Sequence, residues 1–488
     1  MMRSLLSLFL VLTAPAAFAR APAVAGQFYP ADKTELAAFV DAALAAESPV
    51  KAAGAVVAVL APHAGYQYSG KMAALAYKNI SDSYDTVVVL GTSHAEAVKG
   101  AALLAADFYE TPLGRVQPDS ALAAALLKAS PLFEDRPSAH AREHSIEVQL
   151  PFLQRRLKKP FKLQAAVLGG GDLASLKKIG AALAAALKGK KALIVISTDF
   201  SHYPPQRTAA AADGAMLLAI ESLDPGLLWS AAKVLMEKRA PGLETCACGE
   251  AAVEAGMEAA RLLGAGSFIP LRLSDSYAEN PAASEAGRVV GYLSGLFVKG
   301  GRPMEFKLSA AQGSALLEEA RRALADALAG RQTDVSLSGD PRLNLPGAAF
   351  VTLTEGGALR GCVGTTEPAL TLLDAVRYGA VSAAFRDGRF QALKPEELDK
   401  IRIEVSVLSA LKPVKAKAVK PGLGVIAERD GRRGLFLPQV WEQLPAKEDF
   451  LGELCAQKAG LPRDCWKDPG TALSSFTVES FGEKGADR

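Results

Sequence analysis

Residues 86–94 have the sequence TVVVLGTSH, in which a run of apolar and β-branched residues leads directly into small residues and a histidine. Two other segments share this design, VVAVLAPH at residues 56–63 and ALIVISTDFSH at residues 192–202. Their apolar runs are continuous rather than alternating, which is typical of parallel strands covered on both faces. Helical patterns rich in alanine occupy residues 173–188 and 209–222. This alternation of strands and helices predicts an α/β domain with a mainly parallel sheet.

Chemically active side chains follow all three predicted strands. His63 follows the first strand, His94 the second, and Asp199 and His202 the third. Because ligands bind beyond the carboxyl ends of strands in an open parallel sheet, we expect these side chains to meet at one edge. Imidazole nitrogens bind divalent transition metals, so the sequence predicts a metal or acid–base site there. The chain's five histidines all lie between residues 63 and 202, which confines imidazole chemistry to this region.

A cysteine supplies a candidate thiolate ligand for the same site. Cys248 lies just before a helical pattern over residues 251–263. The macrodipole favours a thiolate at the N-terminus of a helix, which makes the thiol a better ligand or nucleophile. Cys246 is interpreted as a small buried residue, although it stays the alternative ligand. The C-x-C pair alone does not make a zinc site, because it lacks the usual C-x₂-C spacing and a second cysteine pair.

His140 and His144 are four residues apart, a spacing that places two side chains on one face of a helix. The H-E-x-x-H pattern of zinc proteases is absent, so the pair is not a protease motif. His144 and Glu147 could instead line the cleft or orient a ligand histidine from behind it. A surface or packing role is the alternative, and the sequence leaves both interpretations open.

The first nineteen residues have the features of a secretory signal. Arg3 provides the positive charge, residues 5–12 form the apolar stretch, and Ala17-Phe18-Ala19 is an A-x-A cleavage site. The apolar stretch is too short to span a bilayer as a helix of the mature protein. We therefore expect a soluble protein that is exported across the inner membrane to the periplasm, without a stable membrane anchor.

The composition is that of a globular protein of two or three domains. The chain has 488 residues, of which 50% are hydrophobic and 22% charged, close to the ordinary charged share of about 25%. The net charge is +3, from 55 basic and 52 acidic residues, which is too balanced for a nucleic-acid surface or a polybasic membrane anchor. Five cysteines are an odd number for an exported chain, and Cys455 and Cys465 are candidates for a disulfide whose geometry the sequence leaves open.

The pattern changes at the segment KGGRP, residues 299–303, which predicts a domain boundary. A helix is predicted over residues 309–328, with Ser309 as its N-cap, and strands over residues 348–353 and 401–408. Residues 401–408 alternate apolar and polar side chains, as in a half-buried antiparallel strand. The second half is therefore expected to be α+β. The predicted organisation is a signal peptide at 1–19 and two domains at 22–299 and 303–484.

A series of motifs in residues 22–298 resembles the Memo family. They are PAVAGQFYP at 22–30, PHAGY at 62–66, LGTSH at 90–94, EHSIEVQLPF at 143–152 and DFSH at 199–202. The resemblance implies a fold similar to that of class III extradiol dioxygenases, which use non-haem iron. It also implies roles for individual residues. The family's metal ligands, two histidines and a cysteine, correspond by motif to His63, His94 and Cys248. Asp199 and His202 are expected beside the metal, with His202 in the place of a dioxygenase's catalytic base, and Tyr66 near the cleft.

The second domain carries the segment LRGCVG at residues 359–364, which predicts a tight turn where two backbones approach closely. Cys362 is interpreted as an inert thiol in this turn, with a nucleophile activated by Arg360 as the alternative. Residues 304–482 resemble the AMMECR family, whose fold is α+β and whose activity is not established. The motifs are the same LRGCVG, AAFRDGRF at 383–390, IEVSVL at 403–408, GLFLPQV at 434–440, and LC and KAGLP within 454–462. By resemblance the candidate site residues are Arg360, Cys362, Arg386 and Arg389.

With both resemblances, the chain is similar to proteins B and A of the AmmeMemoRadiSam system joined in one polypeptide. This implies a functional link to a radical SAM protein, but the chain has no C-x₃-C-x₂-C cluster motif of its own. The first hypothesis is a metal-dependent oxidoreductase acting on a small molecule or peptide with iron or copper, zinc being a further option. The second is a non-enzymatic module that binds metal or peptide, with the second domain docking a partner. The third is hydrolysis by a zinc-activated water, with Asp199 as base.

Overall fold

The computed structural model describes residues 19–105, 108–331 and 336–483, so residues 1–18 of the predicted signal peptide lie outside the described residues. The chain divides into two compact units. The first consists of the chain up to His202, Leu223–Pro225 and Ala247–Pro303. The second consists of Tyr203–Ser222, Gly226–Cys246 and the chain from Met304 onward.

The strands that precede Met304 all belong to the first unit. They are β1 (Ala19–Arg20), β2 (Val56–Ala61), β3 (Thr86–Thr92), β4 (Ala101–Leu103), β5 (Phe108–Thr111), β6 (Gly114–Pro118), β7 (Phe133–Asp135), β8 (Lys162–Leu168), β9 (Ala192–Ser197), β10 (Ala265–Asp275) and β11 (Gly291–Lys299). The helices are α1 (Lys33–Ala46), α2 (Tyr66–Lys78), α3 (Ser120–Ala129), α4 (Pro137–Ala141), α5 (Leu150–Arg156), α6 (Leu173–Leu187), α7 (Gln206–Glu221), α8 (Pro225–Glu237), α9 (Glu250–Leu262) and α10 (Ser276–Glu279). Of these helices, α7 and nearly all of α8 belong to the second unit.

The strands of the first unit form one mixed sheet with the order β1-β5-β6-β8-β3-β9-β2-β11-β10, and β4 and β7 pair beside β8. The central strands β8, β3, β9 and β2 are parallel, whereas β11 and β10 add an antiparallel edge. The three predicted strands and the predicted parallel sheet are therefore confirmed. All of β3 is buried, as is nearly all of β2 and β9, which explains why their apolar runs are continuous.

The strands that carry the candidate site residues are direct neighbours in the middle of this sheet. β9 pairs on one side with β3 and on the other with β2, in parallel register. Their carboxyl ends therefore lie side by side, and His63, His94 and Asp199 leave the sheet at adjacent positions. The topology thus brings together residues that are more than 130 positions apart in the chain.

The second unit continues with antiparallel sheets and two long helices. Its later elements are α11 (Ala310–Leu328), β12 (Pro346–Glu355), β13 (Ala358–Gly364), β14 (Leu370–Thr371), α12 (Leu372–Phe385), β15 (Ile401–Leu408), β16 (Lys412–Pro413), β17 (Gly424–Arg429), β18 (Arg432–Phe436), α13 (Lys447–Glu453), β19 (Ala472–Phe476) and β20 (Val478–Gly482). One sheet has the order β13-β12-β15-β20, with β14 beside β12, and the other has the order β16-β19-β17-β18. The predicted α+β class is confirmed, as is the Ser309 cap, which forms a capping box with Gln312.

The segment LRGCVG does not form the predicted turn. Residues 358–364 are strand β13, and the chain reverses just before it, where Gly356 and Gly357 have positive φ angles of 57° and 82°. The predicted close approach of two backbones is correct, because a Cβ atom at Gly361 would lie 2.2 Å from the carbonyl oxygen of Ala383. Gly361 therefore allows α12 to pack closely on the strand.

Cys455 and Cys465 form a disulfide in the second unit, whereas Cys246, Cys248 and Cys362 are unbridged. The predicted candidate pair is thus the pair that bonds. Within the described parts of the chain, no helix combines the length and the apolar character that crossing a bilayer requires.

Candidate metal centre

Three side chains at the sheet edge converge on one point. His63, His94 and Cys248 each contribute a ligand atom, and these atoms all lie within 4.8 Å of one another. The Nε2 atom of His63 is 3.1 Å from the Sγ atom of Cys248. The ring planes of His63 and His94 are nearly perpendicular, with centroids 5.2 Å apart. Two imidazoles and a thiol are a donor set for transition metals such as copper, iron or zinc, and the residues fit such an ion.

The hydrogen bonds of Ser197 fix the tautomer of His63. The Ser197 hydroxyl donates its hydrogen to the carbonyl oxygen of Ser145, at 2.6 Å. Its oxygen therefore accepts from the Nδ1 atom of His63, at 3.1 Å, and from the amide of Gln149, at 2.9 Å. This leaves the lone pair of Nε2 free for a metal. Burial, and then the charges of His144 and His94, hold the pKa of His63 well below its usual range, so the ring is neutral as a ligand must be.

Glu143 orients the second histidine ligand. Its Oε1 atom lies 2.9 Å from the Nδ1 atom of His94, and its Oε2 atom accepts the backbone N–H of the same residue at 2.7 Å. Burial raises the pKa of Glu143, but the interactions with His94 and the N–H of Ser145 outweigh it and lower the pKa to about 2. The ionised carboxylate thus holds the Nδ1 hydrogen of His94 and leaves Nε2 for a metal, an arrangement common behind metal-bound histidines.

Cys248 is placed by the start of α9, close to where the sequence predicted a helix. Gly249 caps this helix, and a Cβ atom there would lie 2.8 Å from the Ser197 carbonyl oxygen and from Thr198, so only glycine allows the approach. The Sγ atom accepts the backbone N–H of Asp199 at 3.3 Å. Burial, and then the Asp199 charge, raise the pKa of the Cys248 thiol, so the position before a helix does not by itself produce a thiolate in the metal-free protein. A bound cation would favour the thiolate instead.

Asp199 lies beside two of the candidate metal ligands, His63 and Cys248. Its Oδ1 atom accepts the backbone N–H of His63 at 2.8 Å, and its Oδ2 atom is 3.9 Å from the Nε2 atom of that ring. Burial raises the pKa of Asp199 to about 7, against the opposing effect of the N–H groups of His63 and Ala64. His202 is partly buried and close enough for its charge to lower the pKa of His63. Asp199 is therefore in contact with His63 and Cys248, and His202 lies close enough to His63 to influence it.

His144 is a further imidazole in the same cluster. Its ring stacks on His94 with a centroid distance of 4.4 Å, and its centroid is 5.3 Å from that of His63. The Phe28 ring also packs against His144, with a centroid distance of 4.7 Å. Burial, and then His94, lower the pKa of His144 to about 4. Of the two interpretations left open, the structure favours a place beside the candidate ligand histidines over a surface role.

Three other predicted residues lie in the protein core and not in the cleft. His140 is fully buried, with its Nδ1 atom 2.7 Å from the Tyr109 hydroxyl and its Nε2 atom 3.0 Å from the Ala102 carbonyl oxygen. Helix α4 ends at Ala141, so His140 and His144 do not share a helical face. Tyr66 packs among aromatic rings and donates its hydroxyl to Val148 O at 2.7 Å, which corrects its expected place near the cleft. Glu147 accepts hydrogen bonds from residues 20–29, the first residues of the fold.

Cys246 is buried in the second unit, and Cys248 is the cysteine in the ligand group.

The candidate residues of the second unit are arranged around β13. The Nε atom of Arg360 donates to Glu397 at 2.9 Å, and the Nε atom of Arg389 donates to Asp387 at 2.9 Å. The backbone N–H of Cys362 donates to the Asp387 carboxylate at 2.9 Å. Both guanidinium groups are therefore paired with carboxylates, which favours the structural interpretation of Cys362.

The remaining candidate of that unit, Arg386, is the C-cap of α12, and its N–H bonds to the Ser382 carbonyl at 2.8 Å.

The sequence interpretation missed the residues that hold the ligands in place. Glu143, Ser197 and Gln149 received no role, although Glu143 and Gln149 lie within the motif EHSIEVQLPF. Their identity as buried polar residues inside an otherwise apolar fold was the available indication, because such groups are nearly always hydrogen-bonded. Which partners they bind depends on the topology of the sheet.

Comparison with known proteins agrees with this architecture. The family model described as Memo-like protein matches residues 20–296, and the model described as AMMECR1 matches residues 317–481. A MEMO1 family protein of Aquifex aeolicus is 37% identical over 279 residues, covering 57% of this chain and 99% of that protein. Another from Methanopyrus kandleri is 34% identical over 296 residues, covering 58% and 99%.

A solved structure also matches the chain. It is that of the uncharacterized protein PH0010 from Pyrococcus horikoshii, with 36% identity, a TM-score of 0.35, and coverage of 37% of this chain and 95% of that one. The first unit has the fold of the Memo family, which is similar to class III extradiol dioxygenases, and the second contains antiparallel sheets of an AMMECR1 domain. The chain therefore belongs to the Memo family and carries an AMMECR1 domain after its Memo-like domain.

Proposed function

We propose that the first unit binds a redox-active transition metal, iron or copper, through His63, His94 and Cys248, and acts as a metal-dependent oxidoreductase on a small molecule or peptide. The observation that carries the proposal is the convergence of three ligand atoms within 4.8 Å, with the hydrogen bonds to Ser197 and Glu143 directing both Nε2 lone pairs to the same point. Metal-binding histidines usually donate the N–H of their other ring nitrogen to a protein acceptor, which fixes the tautomer.

The residues around the ligands have properties suited to proton transfer. A bound iron or copper would supply electron transfer and polarise a coordinated substrate oxygen. Asp199 is the first proposed acid–base group, because one of its carboxylate oxygens faces His63 and burial raises its pKa to about 7 in the metal-free protein. His202 is the second proposed acid–base group. The rings of His144 and Phe28 pack beside the cluster, with His144 in contact with His94.

Elemental analysis of the purified protein tests this proposal. We expect one iron or copper ion per chain in the wild type, and loss of the metal in His63→Ala, His94→Ala and Cys248→Ser. Cys362→Ser is the matched control, because this unbridged cysteine lies in the second unit. Metal binding that is unaffected by all three substitutions would contradict the assignment.

A bound zinc ion would favour hydrolysis with Asp199 as base. Bound metal with no oxygen consumption for any reductant would favour a non-enzymatic binding module, with the AMMECR1 domain docking a partner.

We also propose that the protein is exported to the periplasm and cleaved after Ala19. The A-x-A motif at residues 17–19 supports this, as does the disulfide between Cys455 and Cys465, since such bonds persist mainly in oxidising compartments. Cell fractionation and intact-mass analysis of the full-length gene product test the proposal. The expected mature chain begins at Arg20 in the periplasmic fraction, and an uncleaved chain in the cytoplasm would contradict it. A functional link to a radical SAM protein then requires a route other than direct contact in the cytosol.

A further inference from the structure

The first residues of the fold lie directly behind the metal centre. The side chain of Arg20 is only 6% exposed and reaches the segment of residues 140–147, called the 140–147 segment below. Its Nε atom donates to the His140 carbonyl at 2.8 Å, one Nη atom donates to the Glu143 carbonyl, and the other to the Glu147 carboxylate. The planar guanidinium group thus binds three separate acceptors within eight residues of sequence.

Glu147 fastens the rest of the N-terminal segment (residues 20–29) to the same place. Its carboxylate is fully buried and accepts the N–H groups of Ala23, at 2.8 Å, and Val24, at 3.1 Å. It also accepts the hydroxyl hydrogen of Tyr29, at 2.5 Å. A buried carboxylate is costly unless its oxygens are well paired, so Glu147 depends on these donors and on Arg20.

The 140–147 segment in turn carries the groups that order the metal centre. Glu143 holds the Nδ1 atom and the N–H of His94, and His144 stacks on the same ring. Ser145 accepts from the N–H of Thr92 at 3.1 Å, and its carbonyl accepts from Ser197, which binds His63. Because the segment between α4 and α5 has little regular structure of its own, its position depends on side-chain contacts such as those of Arg20.

From this chain of contacts we infer that Arg20 is a positioning residue for the metal centre, and that the N-terminal segment completes the site by fixing the 140–147 segment. The inference deepens the proposed metal function and rests on it. If the chain is cleaved after Ala19, the first residue of the mature protein performs this task. The metal centre would then reach its final geometry only when the N-terminus has folded onto the domain.

Titration with Co²⁺ tests the inference, because the Co²⁺–thiolate absorption band reports binding at Cys248. We expect Arg20→Gln to weaken Co²⁺ affinity about 10- to 100-fold, the usual effect of losing support behind a ligand. Arg20→Lys keeps the charge for Glu147 but loses the fork that reaches both carbonyls, so it should bind more weakly than the wild type. Arg115→Gln is the matched control, since that arginine is exposed and pairs with Glu110.

The outcomes separate this inference from the proposed function. If the wild type shows no Co²⁺–thiolate band, or the Cys248→Ser variant shows the same band, the proposed metal site itself fails. If the wild type binds through Cys248 but Arg20→Gln, shown to be folded by circular dichroism, has the wild-type affinity and band, the role of Arg20 is refuted. If Arg20→Lys binds Co²⁺ with wild-type affinity, the proposed need for a forked guanidinium group at this position is also refuted. A purely structural role would lower the melting temperature and leave both the affinity and the band unchanged.

Discussion

At the scale of single residues, the ligands and their supports differ in how readily the sequence reveals them. His63, His94 and Cys248 follow recognisable strand ends or a helix start, and the structure brings them together as predicted. Glu143 and Ser197 contact the two histidines, and their polar character within an otherwise apolar fold was the indication that the sequence offered. Their roles arise only when distant strands become neighbours. Tyr66 shows the opposite case, because its position next to a ligand motif indicated the cleft, whereas its hydroxyl binds the Val148 carbonyl in the core.

The first prediction concerns Glu143, whose carboxylate holds His94. Glu143→Gln keeps the size of the side chain but replaces a charged acceptor with a neutral amide. We expect Co²⁺ affinity to fall about 10- to 100-fold, because the charge-assisted bond that orients the imidazole is weakened. Competition titration against a chelator measures this. Glu134→Gln, on an exposed glutamate of β7, is the control and should bind like the wild type. Unchanged affinity in a folded Glu143→Gln protein would contradict the assigned role.

At the scale of elements, continuous apolar runs and alternating patterns were reliable. The sequence predicts correctly where three buried strands (β2, β3 and β9), the half-buried strand β15 and the helix α11 lie. Burial on both faces gives a continuous apolar run, burial on one face gives an alternating pattern, and the helix has a recognisable N-cap residue. The LRGCVG segment was assigned to a turn because of its glycines. In the structure Gly361 allows the close approach of α12 and Gly364 that of β12, and neither packing contact leaves a local pattern.

Helix α9 contains an ionisable group whose burial predicts a pH effect on stability. Glu254 is fully buried, and among the described residues neither of its carboxylate oxygens has a hydrogen-bond partner. Burial, and then the nearby Glu250, raise its pKa to about 9. An unfolded glutamate titrates near pH ~4.3, so between that pH and about 9 the folded state keeps a proton that the unfolded state releases. The free energy of unfolding therefore decreases as the pH rises through this window.

Glu254→Gln removes this dependence. We expect the variant to be more stable than the wild type by at least about 2 kcal/mol at about pH 8.5, and nearly equal to it at about pH 4. Urea unfolding of the first unit at both pH values gives the comparison. Glu134→Gln, on an exposed glutamate of the first unit, provides the control and should follow the wild type. Parallel pH profiles for Glu254→Gln and the wild type would show that the carboxyl group is ionised in the folded protein.

At the scale of the whole molecule, the two units place different demands on their cysteines. The second unit holds Cys455 and Cys465 as a disulfide, whereas the candidate metal centre of the first unit would need Cys248 as a free thiol. Sequence could predict the two domains, since the motifs of each family are contiguous in long stretches. It could not predict that residues 206–221, which follow a strand of the first unit, would form a helix of the second, because that depends on tertiary contacts.

The final prediction uses the disulfide to separate the stabilities of the two units. Replacing both Cys455 and Cys465 with alanine should lower the free energy of unfolding of the second unit by about 2–3 kcal/mol, because closing the short loop restricts the unfolded chain. The first unit's transition and Co²⁺ affinity should not change. Differential scanning calorimetry with and without reductant measures both transitions. Cys362→Ser should keep the wild-type response to reductant, whereas the double variant should not respond. A double variant with wild-type stability, or one that loses Co²⁺ binding, would show that this separation of roles is wrong.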